Sequence, residues 1–135
     1  MPRPPTIVDL TWIDALKFCG KSGDASITLD SAGVAGPSPV QALGFALAGC
    51  MSMDVVHILL KGRHAVRALR SHLRAARSDD EPGRVVGMTL HFDIEGDVPS
   101  DAVDRAIALS HDRYCSVWHS MRQDIEFKTS FDVHA

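Results

Sequence analysis

Ser38-Pro-Val-Gln-Ala-Leu-Gly-Phe-Ala-Leu-Ala-Gly-Cys50-Met-Ser-Met-Asp-Val-Val-His-Ile-Leu-Leu-Lys61-Gly62 is the stretch whose reading decides the fold. Ser38 can cap a helix, Pro39 suits the first helical position, and Gln41 sits where a capping box takes Glu or Gln. An apolar run from Ala42 to Met53 follows. Lys61-Gly62 then gives a stop, with a cation in the last turn and Gly just beyond it. The middle of the segment lacks a polar face, so the pattern predicts a helix buried nearly all round. From Ala42 to Leu60 the run is almost long enough to span a bilayer. Asp54 and His57 interrupt it, and each is costly near the bilayer centre. The expectation is therefore the central helix of a soluble core, with no membrane partner.

On either side of this helix the chain alternates. Val8, Leu10 and Trp12 interleave with Asp9 and Thr11, and Ser26-Ile-Thr-Leu29 alternates again after a turn at Lys21–Asp24, so the N-terminal third reads as short strands. Ser31 to Pro39 is a connector. Residues 63–77 are ambiguous: Arg63, Arg67, Arg70, Arg74 and Arg77 fall at helical spacing, while a strand would turn Leu69, Ser71, Leu73 and Ala75 inward. Local pattern favours a helix there. Asp79–Gly83 is a turn, and Met88, Leu90, Phe92 and Ile94 mark a half-buried strand. After a break at Gly96–Pro99, Val103, Ile107, Ser110, Tyr114, Val117 and Met121 recur at helical spacing. The chain closes on a strand with Ile125, Phe127, Thr129, Phe131 and Val133 on one face. This order predicts one α+β domain over residues 1–135 with a mainly antiparallel sheet.

Composition narrows the function classes. The chain has 135 residues, 45% hydrophobic and 23% charged, as in a soluble globular protein. A formal net charge of -3 supplies no cationic field for nucleic acid. The acid-free segment Val55–Ser78 with its five arginines reads as a solvated face rather than an anion site. Three cysteines do not make a secreted disulfide framework, and the N-terminus lacks an apolar signal region, so the expectation is a cytoplasmic protein with reduced thiols.

The residues able to carry chemistry are Cys50 and Cys115, both on helical patterns. They can be small core residues, or the attacking and resolving thiols of a redox enzyme; no CxxC motif decides between the two. Cys50 lies three turns from the Ser38 cap, too far for the helix N-terminus to lower its pKa, and Asp54 one turn on would raise it if the side chains met. A reactive thiolate would need a cation from elsewhere. His111-x3-Cys115-x3-His119 could stack three metal ligands on one helical face with Cys50 as a fourth. Such triples arise by chance in His-containing helices and compact zinc sites use shorter spacings, so no metal is assigned. Cys19, on a short β-like segment, reads as a core or edge residue, and no Gly-x-Ser-x-Gly is present.

The segments Gly36-Pro-Ser-Pro-Val-Gln-Ala-Leu-Gly-Phe-Ala-Leu-Ala-Gly-Cys50-Met-Ser-Met-Asp-Val-Val and Ala106-Ile-Ala-Leu-Ser-His-Asp-Arg-Tyr-Cys115-Ser-Val resemble the two cysteine motifs of the OsmC/Ohr superfamily, in the same order. Weaker similarity covers Leu16-Lys-Phe, the strand Met88–Gly96 and the C-terminal strand. The resemblance implies an α+β fold with a buried central helix and a second cysteine-bearing helix, and it makes 66–78 a strand. It also implies an intertwined homodimer with a site at the subunit interface. In the peroxidase members the first cysteine attacks an organic hydroperoxide, the second condenses with the sulfenic acid, and an external dithiol reduces the disulfide, without metal or organic cofactor. Carried over, Cys50 is the peroxidatic thiol and Cys115 the resolving one. Peroxidase members add a Glu near the first helix cap and an Arg from the N-terminal strands. Here Gln41 stands at the Glu position and no Arg occurs between Arg3 and Arg63, so Lys17 or Lys21 would have to substitute, without the planar fork of Arg. The chain is most similar to the shorter OsmC-like branch. Two functions are thus expected as rivals: a thiol peroxidase using Cys50, Cys115 and Gln41, or a non-enzymatic dimer that binds a small molecule or lipid.

Overall fold

Alternation in the N-terminal third becomes an antiparallel meander of β1 (Asp9–Asp14), β2 (Lys17–Ser22) and β3 (Ala25–Asp30), in that spatial order. The computed structural model describes residues 2–135. The chain divides into two compact units, one ending at Leu43 and the other Gly44–Ala135.

In the first unit, Ser22 pairs with Ala25 across a two-residue turn whose Gly23 has φ +57°, the conformation such hairpins require. The connector after β3 is organised by Asp30. Its carboxylate accepts hydrogen bonds from the N–H groups of Ala32 (3.0 Å), Val34 (3.4 Å) and Ala35 (2.9 Å). These donors, Ala35 foremost, hold its carboxyl below the usual carboxylate range against the opposing effect of burial. Gly36 passes so close to β3 that a Cβ would lie 1.9 Å from the Thr28 carbonyl oxygen, so only glycine fits there. Leu10, Trp12 and Ile27 remain exposed on this meander.

The capping box forms as its sequence predicts. The Ser38 N–H donates to Gln41 Oε1 at 2.9 Å, and the Gln41 N–H donates to Ser38 Oγ at 3.2 Å. Helix α1 (Pro39–Lys61) then buries Leu47, Met51, Val55 and Leu59, one residue per turn. The expectation of burial all round is corrected here. Phe45 (71% exposed) and Met53 (73%) lie on the opposite side, because the second unit offers a sheet and helix to one stripe of α1 only. By length and composition α1 would suffice to cross a membrane.

In the second unit β4 (Ala65–Arg77) and β5 (Val85–Asp97) pair antiparallel, and β6 (Glu126–His134) adds to β5 in parallel, giving the order β4-β5-β6. The parallel pair follows from its long connection through helix, as a parallel join requires. Met88, Leu90, Phe92 and Ile94 of β5 point into the core beside α1 and α2 (Ser100–Leu109). Residues 65–77 are a strand, against their local helical signal. Arg63, Arg67, Arg70, Arg74 and Arg77 alternate four and three apart, a helical period, but pairing with β5 along its length decides the strand. A bulge between Val66 and Ala68 shifts the register so that Val66, Leu69 and Leu73 all reach the core.

The predicted long C-terminal helix is also corrected. The α-helical pitch ends at Leu109, Ser110–Tyr114 form a π turn, Cys115 is extended (φ -73°, ψ 98°), and a short α3 (Ser116–His119) follows. His111, Cys115 and His119 therefore do not share one helical face.

Candidate functional site

All residues of the site lie in the second unit, where α1 meets the broken helix before β6. Cys50 is half-buried against the core, with Sγ 3.9 Å from Ser116 Oγ. Cys115 is fully buried. Its extended backbone makes it the cap of α3, and its Sγ accepts a hydrogen bond from the Trp118 N–H at 3.3 Å. Cys50 therefore lies beside the residue that follows Cys115 in the chain, and both cysteines are free.

Burial pushes the Cys115 thiol up to about 11 from an ordinary value of 9.0. The Trp118 N–H opposes this shift, whereas the Cys50 thiol adds to it by hydrogen bonding and by charge. Cys115 is therefore a protonated thiol at neutral pH, able to donate its proton as it reacts. The structure thus brings together two reduced thiols with unequal surroundings: one half-buried on a long helix, one enclosed and protonated.

A polar pair sits beside them. The fully buried Ser110 donates its hydroxyl to Asp54 Oδ2 at 2.8 Å, and the Ser110 carbonyl accepts the Cys115 N–H at 2.8 Å, the bond that closes the π turn. The hydroxyl bond of Asp54 thus goes to Ser110. Sequence reasoning counted Ser110 only as one position on a core-facing stripe. The available signal was its polarity, since a hydroxyl on a buried face needs a partner. Ser52 Oγ also bonds Ser71 Oγ at 2.9 Å, tying α1 to β4.

The metal-ligand set considered from sequence does not assemble. The His111 ring stacks against Trp118 (5.5 Å) and Phe127 (5.6 Å) and bonds Asp112 through Nδ1, while His119 Nε2 donates to the His111 carbonyl at 3.0 Å. Among the described residues no cluster of three His, Cys, Asp or Glu side chains could hold a metal ion. Gln41 belongs to the first unit, where its amide oxygen is engaged by the Ser38 N–H. Lys17, in the same unit, pairs with Asp14 at 3.6 Å.

A family model described as "OsmC-like protein" matches residues 30–130. The chain is 35% identical to Protein YhfA of Escherichia coli K12 over 127 residues, covering 92% of this chain and 95% of that protein. Among solved structures, a hypothetical protein from Aquifex aeolicus VF5 superposes with a TM-score of 0.90 at 26% identity, covering 97% of each chain. An organic hydroperoxide resistance protein OsmC from Legionella pneumophila shares the fold at a TM-score of 0.74 and 18% identity, covering 98% of this chain and 100% of that one. The motifs around Cys50 and Cys115, the α+β architecture and the family match agree: the chain belongs to the OsmC-like protein family.

Proposed function

We propose that this protein is a thiol peroxidase that reduces organic hydroperoxides, with Cys50 attacking and Cys115 resolving. The observation that carries this reading is the approach of Cys50 to the segment bearing Cys115, its Sγ 3.9 Å from the neighbouring Ser116 Oγ, with Cys115 itself fully buried. The name borne by the Legionella pneumophila neighbour is in keeping with it.

In the first step the Cys50 thiolate attacks the distal peroxide oxygen. The O–O bond breaks, Cys50 becomes a sulfenic acid, and the alkoxide leaves as an alcohol after taking a proton from solvent. In the second step Cys115 sulfur attacks the Cys50 sulfur. The S–S bond forms, the S–OH bond breaks, and the Cys115 proton leaves with the hydroxide as water. An external dithiol then gives two electrons and two protons to the disulfide and is itself oxidised. The roles cannot easily be exchanged, because burial opposes ionisation of Cys115. No metal or organic cofactor enters these steps. A cycle that starts from two reduced thiols suits a cytoplasm.

The working form proposed is a homodimer. Phe45 and Met53 on α1, and separately Leu10 and Trp12 on the meander, leave apolar side chains exposed that a second copy of the chain would cover. Sedimentation at micromolar concentration is expected to give a dimer; a monomer throughout that range would refute it.

The peroxidase reading is tested by mass spectrometry after one equivalent of cumene hydroperoxide. A loss of two hydrogens located to a Cys50–Cys115 crosslink is expected, and two intact thiols would reject the reading. The rival function, binding without redox chemistry, draws on Gln41, whose amide caps a helix where peroxidase relatives carry a carboxylate. Intact thiols together with a co-purifying apolar ligand would favour it.

A further inference from the structure

We propose that Asp54 and Ser110 form a clamp that holds Cys115 in position to close on Cys50, making Asp54 a positioning residue for disulfide formation. This rests on the peroxidase reading only for its biological purpose, since the clamp acts on any closure of the two thiols.

Ser110 is held at both ends. Its hydroxyl is fixed to Asp54 Oδ2 at 2.8 Å, and its carbonyl fixes the Cys115 N–H at 2.8 Å. Asp54 lies one helical turn beyond Cys50, so the two side chains project from the same side of α1. A short ring therefore links the thiols through Asp54, Ser110 and the π turn, although Asp54 and Ser110 are 56 residues apart in sequence. The π turn is the part of this ring that needs support. Such turns are rare, have no intrinsic advantage over α-helix, and gather at functional sites.

Without the Asp54 carboxylate, the fully buried Ser110 hydroxyl would lose its partner, and segment 110–114 would have no side-chain anchor on α1. Relaxation of the turn to α-helical pitch moves the following residue by one position, a rotation of roughly 100° about the helix axis. That would carry Cys115 away from Cys50. The peroxide-attacking step does not involve Cys115 and should be spared.

The test compares the wild type with Asp54→Ala, Ser110→Ala and Asp54→Asn in two reactions. In the first, one equivalent of cumene hydroperoxide is added and samples are quenched with dimedone, which captures the Cys50 sulfenic acid. In the second, the diazene oxidant diamide takes two electrons and two protons from the thiol pair and becomes a hydrazine, closing the disulfide without peroxide. Both alanine variants are expected to slow disulfide closure roughly 10- to 100-fold in both reactions, the usual effect of misplacing a reacting group by about an ångström. In Ser110→Ala, which leaves the Asp54 charge in place, peroxide is still consumed at the wild-type rate in the first turnover, so trapped sulfenic acid rises. Asp54→Asn keeps an oxygen that accepts from Ser110 and should restore most of the rate.

Ser110→Ala deletes a single oxygen and carries the test if Asp54→Ala does not fold. A wild type that closes with diamide but not with peroxide would reject the peroxidase reading; slower diamide closure in the variants would then still support the clamp. Alanine variants that close as fast as wild type would overturn the clamp, as would a wild type that closes with neither oxidant.

Discussion

Cys50→Ser is expected to lower organic hydroperoxide consumption by a factor of order 10³ or more, to the background rate, because it removes the attacking sulfur. Cys115→Ser should behave differently. Without added reductant it should consume one equivalent of peroxide per chain and stop, with the oxygen retained as a Cys50 sulfenic acid. The asymmetry follows from the environments of the two thiols: Cys115 is fully buried and its pKa is pushed up to about 11, whereas Cys50 is half-buried. Serine at 115 can also keep the local structure, since its hydroxyl can accept the Trp118 N–H that now bonds to Sγ, the ordinary role of a capping residue. Single-turnover peroxide assays with intact mass measurement check both variants. Wild-type consumption by Cys50→Ser would sink the assignment of the nucleophile. A product in Cys115→Ser oxidised elsewhere than Cys50 would do the same.

Phe92→Ala should be the most damaging single truncation for stability. Phe92 is fully buried on the middle strand, opposite Ser71 of β4 and Phe131 of β6, in the core that also receives the buried stripe of α1. Truncation of such a side chain costs about 3–5 kcal/mol, a large part of the roughly 5–15 kcal/mol that holds an ordinary protein folded. A lower urea midpoint with an unchanged slope is the expected result. A loss below about 1 kcal/mol would show that this strand is not the centre of the core. Because the sheet backs α1, the same variant should show both cysteines alkylated faster by iodoacetamide.

Much of this architecture is legible in local pattern. The capping box Ser38–Gln41, the stop at Lys61-Gly62, the alternation of β5 and β6 and the turn before β5 all express interactions between residues a few positions apart. The resemblance of the two cysteine motifs added what spacing could not, including the strand at 66–78. Local pattern failed there because the arginines alternate four and three apart, a helical period, whereas the strand is decided by pairing with β5 along its length. It failed again at the second cysteine. The apolar spacing from Val103 to Met121 reads as one helix, but the segment leaves α-helical pitch after Leu109 and is extended at Cys115. The break lets the Cys115 sulfur cap α3 and the Ser110 hydroxyl reach Asp54, neither of which a continuous helical stripe predicts.

By itself, then, the chain determined its family and most of its elements, since caps, periodicity and motifs are properties of neighbouring residues. Only the tertiary structure decided that α1 buries a single stripe, that Cys50 lies beside the segment carrying Cys115, and that Asp54 and Ser110 join the two elements. Those outcomes depend on contacts between residues as distant as Asp54 and Ser110, 56 positions apart. Such contacts form because the core has one way to enclose Leu47, Met51, Val55 and Leu59 against β5 and α2. No local propensity encodes that packing.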